Sequence, residues 1–189
     1  DWFMPALFDR PTPAAVRAAY RDAWHGVLDG MEAGPPTLVL KDFFAENLMW
    51  LDDRPGLAAC GLLDFQDALA GPAAYDLVSL LEDERRDMDD DLARRLKARY
   101  RSAVPGLDAA AFETAYVILG AQRHSKNIGI FTRLCVRDGK AAYLDHMPRM
   151  WRWLERGLEA PVLSPVTAWF DTHVPAEARI VPPCRKAAQ

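Results

Sequence analysis

Leu38-Val39-Leu40-Lys41-Asp42-Phe43-Phe44-Ala45-Glu46-Asn47-Leu48-Met49-Trp50-Leu51 sets an aspartate and an asparagine, five positions apart, between two apolar runs. Each run is short and apolar enough for a buried strand, and placing a carboxylate and an amide there is costly unless they have partners or a task. The residues on the C-terminal side supply a task. A turn-rich stretch, Asp52-Asp53-Arg54-Pro55-Gly56, separates the second run from a third at 57–63, which predicts a hairpin across 52–56. Next come Asp64-Phe65-Gln66-Asp67 and Gly71-Pro72-Ala73-Ala74-Tyr75-Asp76-Leu77.

Phosphoryl transfer needs a carboxylate to orient or deprotonate the acceptor hydroxyl, and oxygen ligands to hold magnesium against the phosphates. Asp42, Asn47 and Asp64 are the residue types for those tasks, since Asp and Asn offer the hard oxygens that magnesium prefers. A loop leaving a strand at Asp42 can turn back through residue 46 to present Asn47, while the hairpin brings Asp64 alongside. D-x-x-x-x-N alone is a weak pattern; with D-F-x-D 17 residues after the asparagine and G-P-x-x-Y-D-L beyond, it becomes specific.

Outside this segment the pattern is helical. Thr12-Pro13 reads as a capping hydroxyl before proline at the first helical position, and Val16, Tyr20, Ala23, Trp24, Val27 and Met31 follow at spacings of three and four. Gly34-Pro35-Pro36 ends that helix. Further helices are expected from residue 73 to about 81, around Leu92, Leu96 and Tyr100, and from Asp108 through Gly120, with a basic stretch after it. A last one is expected at about 143–158, with Met147, Met150, Trp151 and Leu154 on one side. The predicted architecture is mainly α with a small β-hairpin insertion. Residues 1–173 form a helical lobe carrying the chemistry at 37–77, and 174–189 form an irregular, proline-containing tail.

Residues 42–47, Gly61-Leu62-Leu63-Asp64-Phe65-Gln66-Asp67-Ala68 and 71–77 resemble the catalytic segments of the aminoglycoside phosphotransferase family, in the choline kinase and protein-kinase-like fold. Trp2-Phe3-Met4-Pro5 resembles the first C-lobe helix of that fold, and residues 129–140 a helix near the substrate. The resemblance implies Asp42 as catalytic base, Asn47 and Asp64 as magnesium ligands that place ATP, and Asp76 as a structural acid. Its texture is nearest to bacterial kinases of the anomeric hydroxyl of N-acetylmuramate and N-acetylglucosamine. Two departures stand out. Leu40 and Phe44 occupy positions where the family often has histidine, and no Gly-rich loop, phosphate-pairing lysine strand or partner-glutamate helix of an N-lobe is found. Together with a start at Asp1 rather than Met, this predicts a C-lobe whose N-lobe belongs to a parent chain.

The function expected is therefore ATP- and Mg²⁺-dependent phosphorylation of a small-molecule hydroxyl, most simply on a sugar or amino sugar. The alternatives are a non-catalytic binding module, or a kinase of another acceptor such as choline or homoserine. A length of 189 residues, 50% hydrophobic and 26% charged, is ordinary globular composition. A net charge of -4 gives no basic footprint for nucleic acid or an anionic membrane surface. No apolar run reaches membrane-spanning length. Cys60, Cys135 and Cys184 are odd in number and widely spaced, which suggests neither a disulfide framework nor a zinc site; a reducing cytoplasm is the expected location.

Several residues admit two readings. Asp42 can be a strand-end cap as well as a base, and Asp67 a metal neighbour or an anchor for its loop. The acidic run from Glu82 to Asp91 can recruit a cationic acceptor, but such runs are more often solvated faces. Arg123, Lys126 and Arg133 can meet an anionic substrate group or answer a helix dipole. Most tryptophans should be core, while Trp153, two positions from Trp151, must leave that face and is the best placed to reach a ligand.

Overall fold

A computed structural model describes residues 1–184. It divides into two compact units: residues 1–31 with the described residues from 120 onward, and Glu32–Leu119. Among the described residues there are seven α-helices and four three-residue strands. No helix among them is long and apolar enough to cross a membrane.

The unit at 32–119 holds all four strands. β1 (Thr37–Val39) pairs antiparallel with β4 (Leu69–Gly71), and β2 (Leu48–Trp50) with β3 (Cys60–Leu62). The β2–β3 pair is the hairpin expected across 52–56; Gly56, at φ 57°, supplies the left-handed turn residue, and Leu51 N–H closes the connection on the Ala59 carbonyl. β4 was not anticipated. It was hidden in a three-residue stretch that ends in glycine, where a Cβ on Gly71 would lie 3.2 Å from Val39 of β1. A residue without a side chain lets the two strands close there without Val39 having to give way. α3 (Ala74–Leu81) follows and buries Ala74, Leu77, Val78 and Leu81. α4 (Asp90–Ala103) is capped by Asp89, whose carboxylate accepts from Leu92 N–H. Asp108 likewise accepts from Ala110 and Ala111 N–H and starts α5 (Ala109–Asp138). α4 and the first turns of α5 are joined by Tyr100 stacked on Phe112 at 5.5 Å and by Lys97 over the Tyr116 ring at 4.0 Å.

The other unit is helical. α1 (Phe3–Phe8) and α2 (Ala14–Asp29) accompany the later part of α5, α6 (Met147–Leu158) and α7 (Ser164–His173). The 147, 150, 151, 154, 158 spacing of α6 is its buried stripe. Gly157 sits where a Cβ would come 3.1 Å from that of Ala121, so α6 crosses α5 at glycine-to-alanine distance. Tyr20 packs edge-on against Trp169 at 4.8 Å and bonds Ser125 Oγ at 2.7 Å, linking α2, α5 and α7.

Several expectations are corrected. Thr12 does not cap α2: its hydroxyl is buried and makes no cap bond, and Pro13 holds the cap position. α5 does not stop at Gly120 but runs on through the basic stretch to Asp138, 30 residues in all. α7 had no counterpart in the sequence reading. Cys135 and Cys184 are joined as a disulfide, with Cα atoms 5.8 Å apart, so the cysteine argument for a reducing compartment loses its premise; Cys60 is free and exposed. Of the tail expected at 174–189, residues 176–178 form a 3₁₀ turn, and 185–189 lie outside the described residues.

Candidate active site

The Asp42 loop begins where β1 ends, and the backbone before it is clamped. Asp76, in the first turn of α3, accepts from Leu40 N–H at 2.7 Å and Lys41 N–H at 3.0 Å, one oxygen each. Ser79, one turn further on, donates to the Lys41 carbonyl at 3.1 Å. Lys41 itself stands at φ 71°, a left-handed conformation that costs a non-glycine residue of order 1–3 kcal/mol unless its surroundings impose it. These three bonds impose it. They aim the chain into Asp42 although Leu40 stands where an orienting histidine would otherwise be.

The loop then closes on itself. The Asp42 carbonyl accepts from Phe44 N–H at 3.2 Å and from the Asn47 side-chain amide at 2.9 Å, and Asn47 N–H returns to the Phe44 carbonyl. Residues 45–47 make one 3₁₀ turn. Because Asn47 spends its N–H₂ on the Asp42 carbonyl, its side-chain oxygen is the end left to serve as a ligand. Leu63 N–H donates to the Asn47 carbonyl at 2.9 Å, extending the β2–β3 ladder, and the next residue is Asp64. Asp64 is exposed, stands at φ 55°, and accepts from Gln66 Nε2. The far end of the D-F-Q-D segment returns to the loop through Lys41 Nζ and Asp67, 3.9 Å apart, which favours the anchor reading of Asp67. That pair is more than a third exposed and is a weak tether.

Asp42 and Asn47 are thus tied by the Asn47 side-chain amide, and Asp64 is carried alongside Asn47 by the Leu63 main-chain bond. The donor set suits magnesium, which takes one or two protein oxygens and fills the remaining positions with water and phosphate. Among the described residues no group of three His, Cys, Asp or Glu side chains gathers to hold a metal ion.

Arg123, Lys126, Arg133 and Trp153 belong to the other unit. Arg123 is buried and Lys126 lies twelve residues before the end of α5, so neither meets the helix dipole, whose effect fades within the last turn. Trp153 lies nearly parallel to the buried His124, centroids 6.4 Å apart. The acidic run also departs from a solvated face at its start, where Asp83 and Glu84 are buried. Burial pushes the Asp83 carboxyl above its ordinary value, against the lowering pull of a backbone bond and the charge of Arg85. Burial likewise raises the Tyr100 phenol, and the charge of Asp76 adds to it. Composition hid the buried acids: seven acids within ten residues read as surface, and only the arginine at 85 hinted at an internal pair.

A strand-end aspartate, an asparagine five residues on and an aspartate beyond a hairpin thus lie on one folded segment whose start is pinned to α3. The chain belongs to the phosphotransferase enzyme family, whose pattern matches residues 2–112 and includes all three positions. It is similar to an N-acetylmuramate/N-acetylglucosamine kinase of Caulobacter vibrioides, with 40% identity over 95% of this chain and 49% of that protein. Kinases of the same name from Neisseria meningitidis, at 37% identity, and Pseudomonas putida, at 31%, each align over 82% of this chain and 47% and 46% of their own lengths. The chain spans about half the length of the curated relatives it matches.

Proposed function

We propose that this chain is the C-lobe of a protein-kinase-like fold and supplies the catalytic loop of an ATP- and Mg²⁺-dependent kinase acting on a sugar hydroxyl. The observation that carries the reading is the double clamp of Asp76 on the backbone before Asp42, joined to the Asn47–Leu63 bond that sets Asp64 beside it. Asp42 orients the acceptor hydroxyl and takes its proton, and the side-chain oxygens of Asn47 and Asp64 hold the ion. Magnesium held there would supply positive charge to offset what develops on the transferred phosphoryl group. The acceptor is N-acetylmuramate or N-acetylglucosamine, phosphorylated at the anomeric position; the names of the relatives support the sugars, and the family resemblance supports the position.

An N-lobe completes the nucleotide site in this proposal. Leu38, Met49, Trp50, Leu57, Leu63, Phe65 and Leu69, on or beside the four short strands, are exposed, with Leu57 at 91% and Trp50 at 74%. So many large apolar groups around one catalytic segment fit a surface that another part of the parent protein covers. Use of ATP is the ground for placing the reaction in the cytoplasm. Phosphorus NMR of the N-lobe-containing parent with magnesium, ATP and the two sugars tests the reading. A phosphoester resonance with anomeric coupling is expected, absent from Asp42→Asn. Binding of sugar by calorimetry without any phosphoester would favour a non-catalytic module instead, and a phosphoester only on choline or homoserine would overturn the acceptor.

A further inference from the structure

The catalytic loop has a second attachment besides Asp76, through Arg85. Arg85 follows the two buried acids, and its own N–H donates to Asp83 Oδ1 at 2.9 Å. Its guanidinium lies 3.7 Å from Asp83 Oδ1, 3.8 Å from Glu84 Oε2 and 3.4 Å from Glu46 Oε2. The same guanidinium sits over the Phe44 ring, 4.1 Å from its centroid. Phe44 and Glu46 belong to the loop between Asp42 and Asn47, whereas Asp83 and Glu84 are fixed at the end of α3. One planar cation therefore spans the loop and the helix that clamps it. Asp83 Oδ2 is buried and makes no hydrogen bond, and the Arg85 guanidinium is a cation beside that carboxyl.

We propose that Arg85 is a positioning residue for phosphoryl transfer. By gripping Phe44 and Glu46 it fixes the middle of the loop, and with it the separation of Asp42 from Asn47. This inference rests on the kinase reading above. Lysine keeps the charge but cannot present a fork to three carboxylates while lying flat on an aromatic ring. Removing the charge strands two buried carboxylates, so Arg85→Met alone is a poor test. Glu46 is 60% exposed at its side chain, and Glu46→Gln severs the loop-facing arm while leaving the buried pairs intact.

The test compares Glu46→Gln, Arg85→Lys and Arg85→Met in the parent kinase by steady-state kinetics on its sugar acceptor, with hydrogen exchange of the Phe44 and Asn47 amides, both bonded within the loop. Displacing a reacting group by an ångström can cost on the order of 100-fold, so kcat should fall roughly 10- to 100-fold in Arg85→Met. KM should move less than about threefold, and Arg85→Lys and Glu46→Gln should fall between, because a lost transition-state contact lowers kcat without weakening ground-state binding. Exchange at 44 and 47 should quicken while the amides of α3 keep their protection. Unchanged kcat and unchanged exchange at 44 and 47 in Glu46→Gln and Arg85→Lys would overturn the proposal. So would loop exchange that quickens only together with α3. If the wild-type parent transfers no phosphoryl group, the kinase reading fails, and the exchange comparison still decides whether Arg85 positions the loop.

Discussion

Replacing Asp76 by asparagine changes one atom in the clamp, and the structure says what that atom does. The carboxylate accepts two main-chain bonds, from Leu40 and Lys41, one on each oxygen. Asparagine keeps one acceptor and turns an N–H₂ toward the other N–H. The bond that survives drops from a charged to a neutral acceptor, a loss of about 1 kcal/mol, and the N–H that loses its partner costs about 1–3 kcal/mol in a partly buried position. Part of this is offset, because releasing Lys41 from φ 71° returns some of its strain. The net expectation is a destabilisation of about 2–3 kcal/mol, with accelerated hydrogen exchange at the amides of residues 40 and 41. Urea unfolding followed by circular dichroism, with exchange read by NMR, measures both. An Asp76→Asn protein within about 0.5 kcal/mol of wild type, the range typical of surface substitutions, and with both amides still protected would refute the clamp.

Three other expectations follow from particular residues. Burial pushes the Asp83 carboxyl above the ordinary aspartate value, so between the two the folded state holds a proton that the unfolded chain has released. Stability contributed through this group therefore falls as pH climbs from that value, and Asp83→Asn should gain on wild type over the same climb, as seen in denaturation midpoints at pH 4 to 7. A difference that stays flat with pH would contradict it. Leu154→Ala removes a fully buried side chain from the α6 stripe and should cost about 2–5 kcal/mol in a urea titration. Non-reducing peptide mapping should recover Cys135 and Cys184 in one linked pair and Cys60 alone; closing a 49-residue span, the link should be worth up to about 4 kcal/mol, lost on reduction.

Local polar spacing was the part of the candidate site legible in sequence. Asp42, Asn47 and Asp64 are brought together by a turn and a hairpin, both short-range features with their own residue signatures. The α6 stripe was equally readable from its periodicity. What escaped depended on partners distant in the chain. β4 is three residues long and is a strand only because Val39 lies opposite Leu69. The continuation of α5 past Gly120 was masked by the polar run from Gln122 to Asn127, several of whose members are buried and break the apolar period. Asp83 and Glu84 looked like surface because burial of acids depends on an arginine and on a loop forty residues upstream. The Cys135–Cys184 link spans 49 positions with no local mark at all.

Asp42 as base and Asp64 as metal ligand are the core of the proposed function, and a magnesium titration of single-turnover transfer in the proposed N-lobe-containing parent separates the two roles most directly. A general base contributes about 10²- to 10⁴-fold, so Asp42→Asn should lose rate on that order at every magnesium concentration. Asp64→Asn should lose rate at low magnesium and recover part of it as the ion is raised. Recovery of Asp42→Asn with magnesium, or an Asp64→Asn defect that is indifferent to it, would contradict the assignment.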